Sequence, residues 1–205
     1  MATYEATRAA ANQAWAPIAN PGRTLIKVQL ATCSKSAGAG ETLSAIRDAV
    51  AARGLGVDVM VTGCMGLCYA EPVVEVLAPG AASVYYQHLT ADKVSALIEA
   101  VGQKRIASEL ALAINAGEGW GDIPPLSSLP FWRGQVRRLM DNCGVTDPEN
   151  IDHYIARGGY EGLVKALEAG GEAVIKEVLE SGLWGRGGAA FPTARKWEFL
   201  RGSDR

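Results

Sequence analysis

The sequence predicts an α/β fold: a compact β-α-β-β-β-α unit over residues 24–102, followed by a mostly helical segment. Three observations predict it. Short apolar runs of strand length occur at 24–31, 57–63, 73–80 and 82–89. Between the first two, Leu43, Ile46 and Val50 recur at helical spacing. From Pro130 onward no strand pattern survives, and helical patterns take its place.

Residues 1–22 are Ala-rich and end at the turn dipeptide Pro21-Gly22, which reads as a flexible leader. In residues 24–31, Leu25, Lys27, Gln29 and Ala31 alternate with Ile26, Val28 and Leu30, a strand pattern. A small-residue loop, Cys33 to Gly40, leads to the helix over 41–54, which Gly54 and Gly56 stop. The β-branched run 57–63 empties directly into Cys64-Met-Gly-Leu-Cys68, and the runs 73–80 and 82–89 meet at Pro79-Gly80 as a hairpin. Thr90 caps a last helix with Val94, Leu97 and Val101 on one side.

Residues 103–128, with Gly117, Gly119, Gly121 and Pro124-Pro125, are expected to be a linker from the unit over 23–102 to a second one over 129–205. There, 130–142 is expected to be an amphipathic helix with Val136, Leu139 and Met140 inward. Asp147 and Pro148 mark the N-cap and first position of the next helix, and helices follow at 160–169 and 171–182. Internal repeats and long low-complexity tracts are absent.

Of the 205 residues, 48% are hydrophobic and 20% charged, and the mean hydropathy is +0.05, so a packed core can form. The net charge of −2, with Lys and Arg scattered, provides no basic stripe for nucleic acid. No apolar run has the length of a signal peptide or a membrane span, which predicts a cytoplasmic protein without membrane insertion. Four cysteines in such a chain point to metal or redox chemistry rather than disulfides.

Cys64 and Cys68 lie in a Gly-containing loop after one buried strand, and Cys33 follows the preceding one. Parallel neighbours would bring all three sulfurs to one end of the sheet, the arrangement that an iron–sulfur cluster or a zinc ion needs. Cys143, far along the chain, reads as a buried cysteine at a helix end.

The string TGCMGLCYAEPVVEV resembles the thioredoxin-like [2Fe-2S] ferredoxin domain found in the flavoprotein modules of respiratory complex I and its hydrogenase and formate dehydrogenase relatives. The resemblance covers about residues 24–102 and implies Cys33, Cys64 and Cys68 as cluster ligands. It also implies a second cysteine five positions after Cys33, where this chain has Gly38, with Ser34 and Ser36 the nearest polar residues. A serine, water or another subunit would then complete a [2Fe-2S] site; a domain that keeps the fold without the cluster is the other reading.

In residues 181–199, Gly185, Gly187 and Gly188 let backbone amides approach a phosphate. Arg186 and Lys196 add positive charge, and Phe191 and Phe199 offer flat faces. Phosphate plus ring means a nucleotide or flavin. The string GRGGAAFPTARKW resembles the FMN-binding loop of the complex I NADH-binding flavoprotein subunit, GRGGAGFPTGxKW, and the NCGxxDPExIxxYxxxGGY stretch at 142–160 resembles the same subunit. This implies that Gly185, Arg186, Gly187 and Gly188 wrap the phosphate side of FMN and that Lys196 contacts the flavin. Gly188, Phe191 and Phe199 would border NAD(P)H. Ala190 and Ala194 stand where the family has glycine, and Ala190 carries a Cβ where positive φ is expected.

The resemblance implies an NADH dehydrogenase-type (diaphorase) subunit that takes hydride from NAD(P)H onto FMN and passes single electrons to iron–sulfur clusters, in company with other subunits of an electron-transfer complex. The family's acidic flavin segment and its four-cysteine [4Fe-4S] motif are expected beyond Arg205, with the chain an inactive fragment by itself. The alternative is that the first unit is a cluster-free docking module joining the flavoprotein to a partner subunit.

Overall fold

The computed structural model describes residues 3–201, and its internal contacts divide them into two units: residues 8–156, and residues 157–201 with 3–7. Among the described residues no helix is long and apolar enough to cross a membrane.

The larger unit is built on a five-stranded sheet of order β2-β1-β3-β4-β5. Strand β1 (Thr24–Gln29) runs through α2 (Thr32–Ser36) and α3 (Ala39–Ala52) to β2 (Val57–Thr62), which pairs parallel to β1. The hairpin β3 (Val74–Leu77) and β4 (Val84–Tyr86) follows antiparallel to β1, and α4 (Val94–Gly102) closes the motif. A β-α-β motif joined to a β-β-α motif in one mixed sheet is a thioredoxin-like α/β arrangement, as expected from the sequence.

Each face of the sheet has its own core. Ile26, Val28, Val74, Val76, Val84 and Tyr86 pack with Leu43 and Ile46 of α3 and Leu97 and Ile98 of α4. On the other face Val73, Tyr85 and Ala113 pack with Met65, Leu67, Leu126 and Leu129. Burial on both faces explains why the polar members of β1 are enclosed. Lys27 stands opposite Glu75 on β3 and pairs with it at 3.2 Å, and the Gln29 side chain is used inside the molecule as well.

Several sequence expectations need correction. Residues 4–19 form helix α1 (Tyr4–Ala19) rather than a flexible leader; Ala11 is fully buried and Trp15 meets His153 edge-on at 5.1 Å. The stretch read as a linker, 103–128, supplies β5 (Ala111–Ile114), which pairs antiparallel to β4, and Leu126 of the second core. Its register bulges between Tyr85 and Tyr86, so the strand signal is short and broken.

Residues 130–142 are turns, not a helix, and Val136, Leu139 and Met140 are exposed. The Arg137 guanidinium donates to the carbonyls of Met140 and Cys143 and lies 4.4 Å over the Trp132 ring, holding a turned conformation through side-chain contacts. Cys143 is accordingly in a turn, half-buried, and not at a helix end. Helix α5 (Ile151–Ala156) starts four residues after Asp147, whose carboxylate accepts from the Glu149 amide; the Asn150 side chain accepts from the Asp152 amide at the helix start.

The smaller unit contains α6 (Glu161–Ala169), α7 (Gly171–Glu180) and α8 (Thr193–Glu198). The Tyr4 hydroxyl donates to the Gly159 carbonyl at 2.9 Å, which ties the start of the chain to this unit. The helices at 160–169 and 171–182 stand close to where their periodicity puts them.

Candidate functional site

Parallel pairing of β1 with β2, ending at Gln29 opposite Thr62, makes both strands release their chains at the same end of the sheet. Cys33 sits in α2 just beyond β1, and Cys64 and Cys68 lie in the loop beyond β2. The three Sγ atoms lie within 4.8 Å of one another, and no other cluster of metal-ligating side chains is found among the described residues. The sequence expectation of converging thiols is met by this geometry.

Loop 63–68 is held from inside. Met65 and Leu67 are buried, alternating with the more accessible Cys64 and Cys68, and the Met65 amide donates to Gln29 Oε1 at 3.0 Å. Gly66, at φ +102°, turns the chain so that its amide donates to Cys64 Sγ at 3.2 Å. Gly144, at φ +78°, backs the loop so closely that a Cβ there would lie 2.8 Å from Met65 Cβ.

Cys64 Sγ and Cys68 Sγ are 3.8 Å apart, and two thiolates on one tetrahedral ion with bonds of about 2.3 Å are separated by about 3.8 Å. The sulfurs therefore fit a thiophilic metal centre. Beside them Glu71, only 6% exposed, accepts from the Ser34 hydroxyl at 2.8 Å and from the Val73 amide at 2.7 Å. The sequence reading missed Glu71. An acid three residues after a ligand cysteine, directly before a proline, is the signal that could have found it.

The thiols are not equivalent. Burial raises Cys33, but hydrogen bonding with Cys64, Cys68 and Ser34 outweighs it and holds this thiol below its ordinary value. Burial pushes Cys64 well up, against the Gly66 amide, with Cys33 and Glu71 adding to the rise. Cys68 is raised by its hydrogen bond to Cys33 and then by burial.

Gly38, where the resemblance implies a further cysteine, has φ +93° and forms the N-cap of α3. It carries no donor, and an L-residue there is strained.

The glycine-rich loop lies in the smaller unit. A bridge between Trp184 and Pro192 closes it, with the Gly185 amide donating to the Phe191 carbonyl at 2.8 Å and the Thr193 amide to the Leu183 carbonyl at 2.9 Å. Lys196 folds back over Gly185: a Cβ at 185 would meet Lys196 Nζ at 2.9 Å and the Phe191 carbonyl at 3.0 Å. The Phe191 and Phe199 rings lie 6.1 Å apart at 36°.

Arg186 is exposed, and the amides of residues 186–190 donate to no acceptor among the described residues. A Cβ at Gly187 or Gly188 would point into open space. Free amides with an arginine, a lysine and two rings beside them can receive a phosphate-bearing aromatic ligand. Ala190 has φ +49°, the left-handed conformation expected at this position, while Ala194 is buried in α8.

No protein-family model matches the chain. Among curated proteins it is 52% identical over 69 residues to NADP-reducing hydrogenase subunit HndC of Solidesulfovibrio fructosivorans, a segment that is 34% of this chain and 14% of that one. It is 51% identical over 63 residues to subunit HndB of the same organism, 30% of this chain and 50% of that one. An NADH-quinone oxidoreductase subunit of Aquifex aeolicus is 52% identical over 64 residues, 31% of this chain and 15% of the relative. The chain thus spans half or less of the length of these relatives.

Among solved structures, the thioredoxin-like [2Fe-2S] ferredoxin from Aquifex aeolicus overlaps 44% of this chain and 97% of that one, at 19% identity and a TM-score of 0.39. An NAD+-reducing [NiFe]-hydrogenase overlaps 94% of this chain and 31% of that one, at 21% identity and a TM-score of 0.36. The chain is a relative of NADH-quinone oxidoreductase subunits and of NADP-reducing hydrogenase subunits, sharing with them segments of 63 to 69 residues at about half identity.

Proposed function

We propose that this chain forms a portion of an NAD(P)H-linked flavoprotein subunit, in which the glycine-rich loop receives FMN and the three thiols hold an iron–sulfur cluster. The observation that carries the reading is the coexistence of two sites in one chain: three Sγ atoms within 4.8 Å, and a closed loop with free amides at 186–190. Relatives named as subunits of hydrogenases and NADH-quinone oxidoreductases support it, and make other subunits of an electron-transfer complex the expected partners.

The chemistry that FMN supplies when bound is the conversion of a hydride from NAD(P)H into single electrons that iron–sulfur centres can carry. The protein's own part is positioning. Amides 186–190 and Arg186 would receive the phosphate, Lys196, which lies over Gly185, would contact the flavin, and Phe191 and Phe199, with rings 6.1 Å apart, would border the nicotinamide nucleotide. The thiols, the Gly66 amide and Gln29 set the geometry of the metal centre. In the complete subunit, Arg186→Ala and Lys196→Ala should each lower flavin content per chain; unchanged flavin absorbance in both would remove the loop assignment.

A second reading, a cluster-free docking module, is favoured by Gly38, whose left-handed backbone suits glycine rather than cysteine. Anaerobic reconstitution of the chain with iron and sulfide separates the two. A reducible visible chromophore with an EPR signal supports the cluster, and a colourless, EPR-silent, folded protein supports docking.

A further inference from the structure

The two ends of the larger unit's sheet carry different features. One end releases the chain to the three thiols. At the other, where β1 and β2 begin, lies a cleft of about 950 Å³, within the roughly 300–1,000 Å³ of small-molecule sites. The run of β1 puts about 20 Å between the cleft and the thiols. Much of its lining is aliphatic: Val76 and Val84, which face each other in the β3–β4 hairpin, with Val101 of α4 and Ile106 beyond it. Trp120 lines it as well, 54% exposed and carried on a turn that Trp120 and Ile123 close with backbone hydrogen bonds at 2.9 and 3.0 Å.

Three cations line the cleft, Arg23, Lys104 and Arg105, and no acidic side chain does. Asp58 pairs with Arg23 at 2.6 Å, whereas Glu109 and Glu118 are exposed and stand outside the lining. Lys104 and Arg105 have no acidic partner among the described residues, and the Arg105 guanidinium donates to Gln103, a neutral amide. Their backbone is fixed by the end of α4, where the Lys104 amide donates to the Val101 carbonyl at 3.0 Å and the Arg105 amide to the Ala100 carbonyl at 2.9 Å. Such a helix stop ordinarily places glycine where Lys104 stands, at φ +54°. Arg105 already gives the helix C-terminus a cation, so ending α4 does not require a strained lysine.

We propose that this cleft binds an anionic amphiphile, with its aliphatic tail on Val76, Val84, Val101 and Ile106 and its anionic head at Lys104 and Arg105. Aliphatic walls attract through apolar area alone, which suits an alkyl chain. Two cations without counter-charges supply charge-assisted hydrogen bonds to a carboxylate or phosphate head. A protein segment is a poorer occupant: β3 and β4, which line the cleft, are interior strands, so no open strand edge is offered to an added backbone.

The test titrates the full chain, labelled with nitrogen-15, with decanoate, decyl phosphate and decanol, following amide and indole resonances and measuring affinity by calorimetry. At least one of the two anions should bind with a single equivalent per chain and shift Lys104, Arg105, Ala82 and Trp120, with the amides of residues 63–68 unmoved. The tighter of the two identifies the head as carboxylate or phosphate. Decanol should bind at least about tenfold more weakly, the loss expected for a missing charge-assisted contact. K104G/R105Q should bring the anions to the affinity of decanol without lowering the melting temperature, because glycine suits the left-handed position.

Decanol binding as tightly as the anions, or anion affinity unchanged in K104G/R105Q, would overturn the proposal. So would shifts confined to other parts of the chain. An absence of binding by either anion at millimolar concentration would overturn it as well, and would leave the cleft to a protein surface.

Discussion

At the scale of single residues, the same side chain acquires different chemistry at neighbouring positions. Cys33 lies below the ordinary thiol value because hydrogen bonding with its neighbours outweighs burial, while burial lifts Cys64 and the hydrogen bond to Cys33 lifts Cys68. Since the thiolate is the nucleophile, alkylation of the metal-free chain at neutral pH should modify Cys33 first. Peptide mass mapping over a time course of iodoacetamide treatment checks the order, and Cys64 reacting ahead of Cys33 would contradict it.

Ala190 shows what one Cβ does to a loop. Its φ of +49° lies where an L-residue is strained relative to glycine. Ala190→Gly should stabilise the closed loop by about 1 kcal/mol, less than the full strain because glycine loses more entropy on ordering. That corresponds to a roughly fivefold slowing of amide exchange at Gly185, whose bond to the Phe191 carbonyl closes the loop.

At the scale of elements, β1 and β3 are joined by an ion pair enclosed between two cores. Lys27 and Glu75 face each other across the strands and are both almost fully buried. Breaking the pair leaves one charge without a partner, so Lys27→Met alone should cost about 3–5 kcal/mol in a denaturant titration. Lys27→Met combined with Glu75→Gln should recover most of that loss. Two single effects that merely add would show that the charges are not coupled.

Elements were legible where one local pattern decided them. The strand at β1, the Leu43, Ile46 and Val50 spacing of α3, and the Pro79-Gly80 hairpin stand as expected, because strand and helix period and turn residues act locally; that β1 is enclosed on both faces is not in its alternation. Residues 130–142 carry a helical pattern too, but Arg137 bound to two carbonyls and stacked on Trp132 stabilises turns instead. Periodicity carries no information about a side chain that folds back onto its own backbone.

At the scale of the whole molecule, the larger unit extends well beyond the segment first delimited. It gathers α1, β5 and α5 around the thioredoxin-like sheet. His153 of α5 is buried against Trp15 of α1, with its Nδ1 accepting from the Asp147 amide. Burial holds this imidazole below its ordinary 6.5, against the pull of Asp147 and Asp152. The unfolded chain therefore binds the proton more tightly, so the contribution of neutral His153 is complete above pH of about 6.5 and is lost as pH falls through the folded value. The melting temperature should drop between pH 7 and 5, and His153→Gln should flatten that dependence; an equal slope in the variant would contradict this.

By itself the sequence determined the α/β class and marked the three thiols and the glycine-rich loop as candidate sites. Each of these depends on residue type and on spacing along one stretch of chain. Only the tertiary structure decided that the leader and linker are parts of the fold, since their hydrophobic partners lie far away in sequence. Only the tertiary structure enclosed Glu71 against the Ser34 hydroxyl of the first thiol loop, because burial is a property of a neighbourhood that no spacing records.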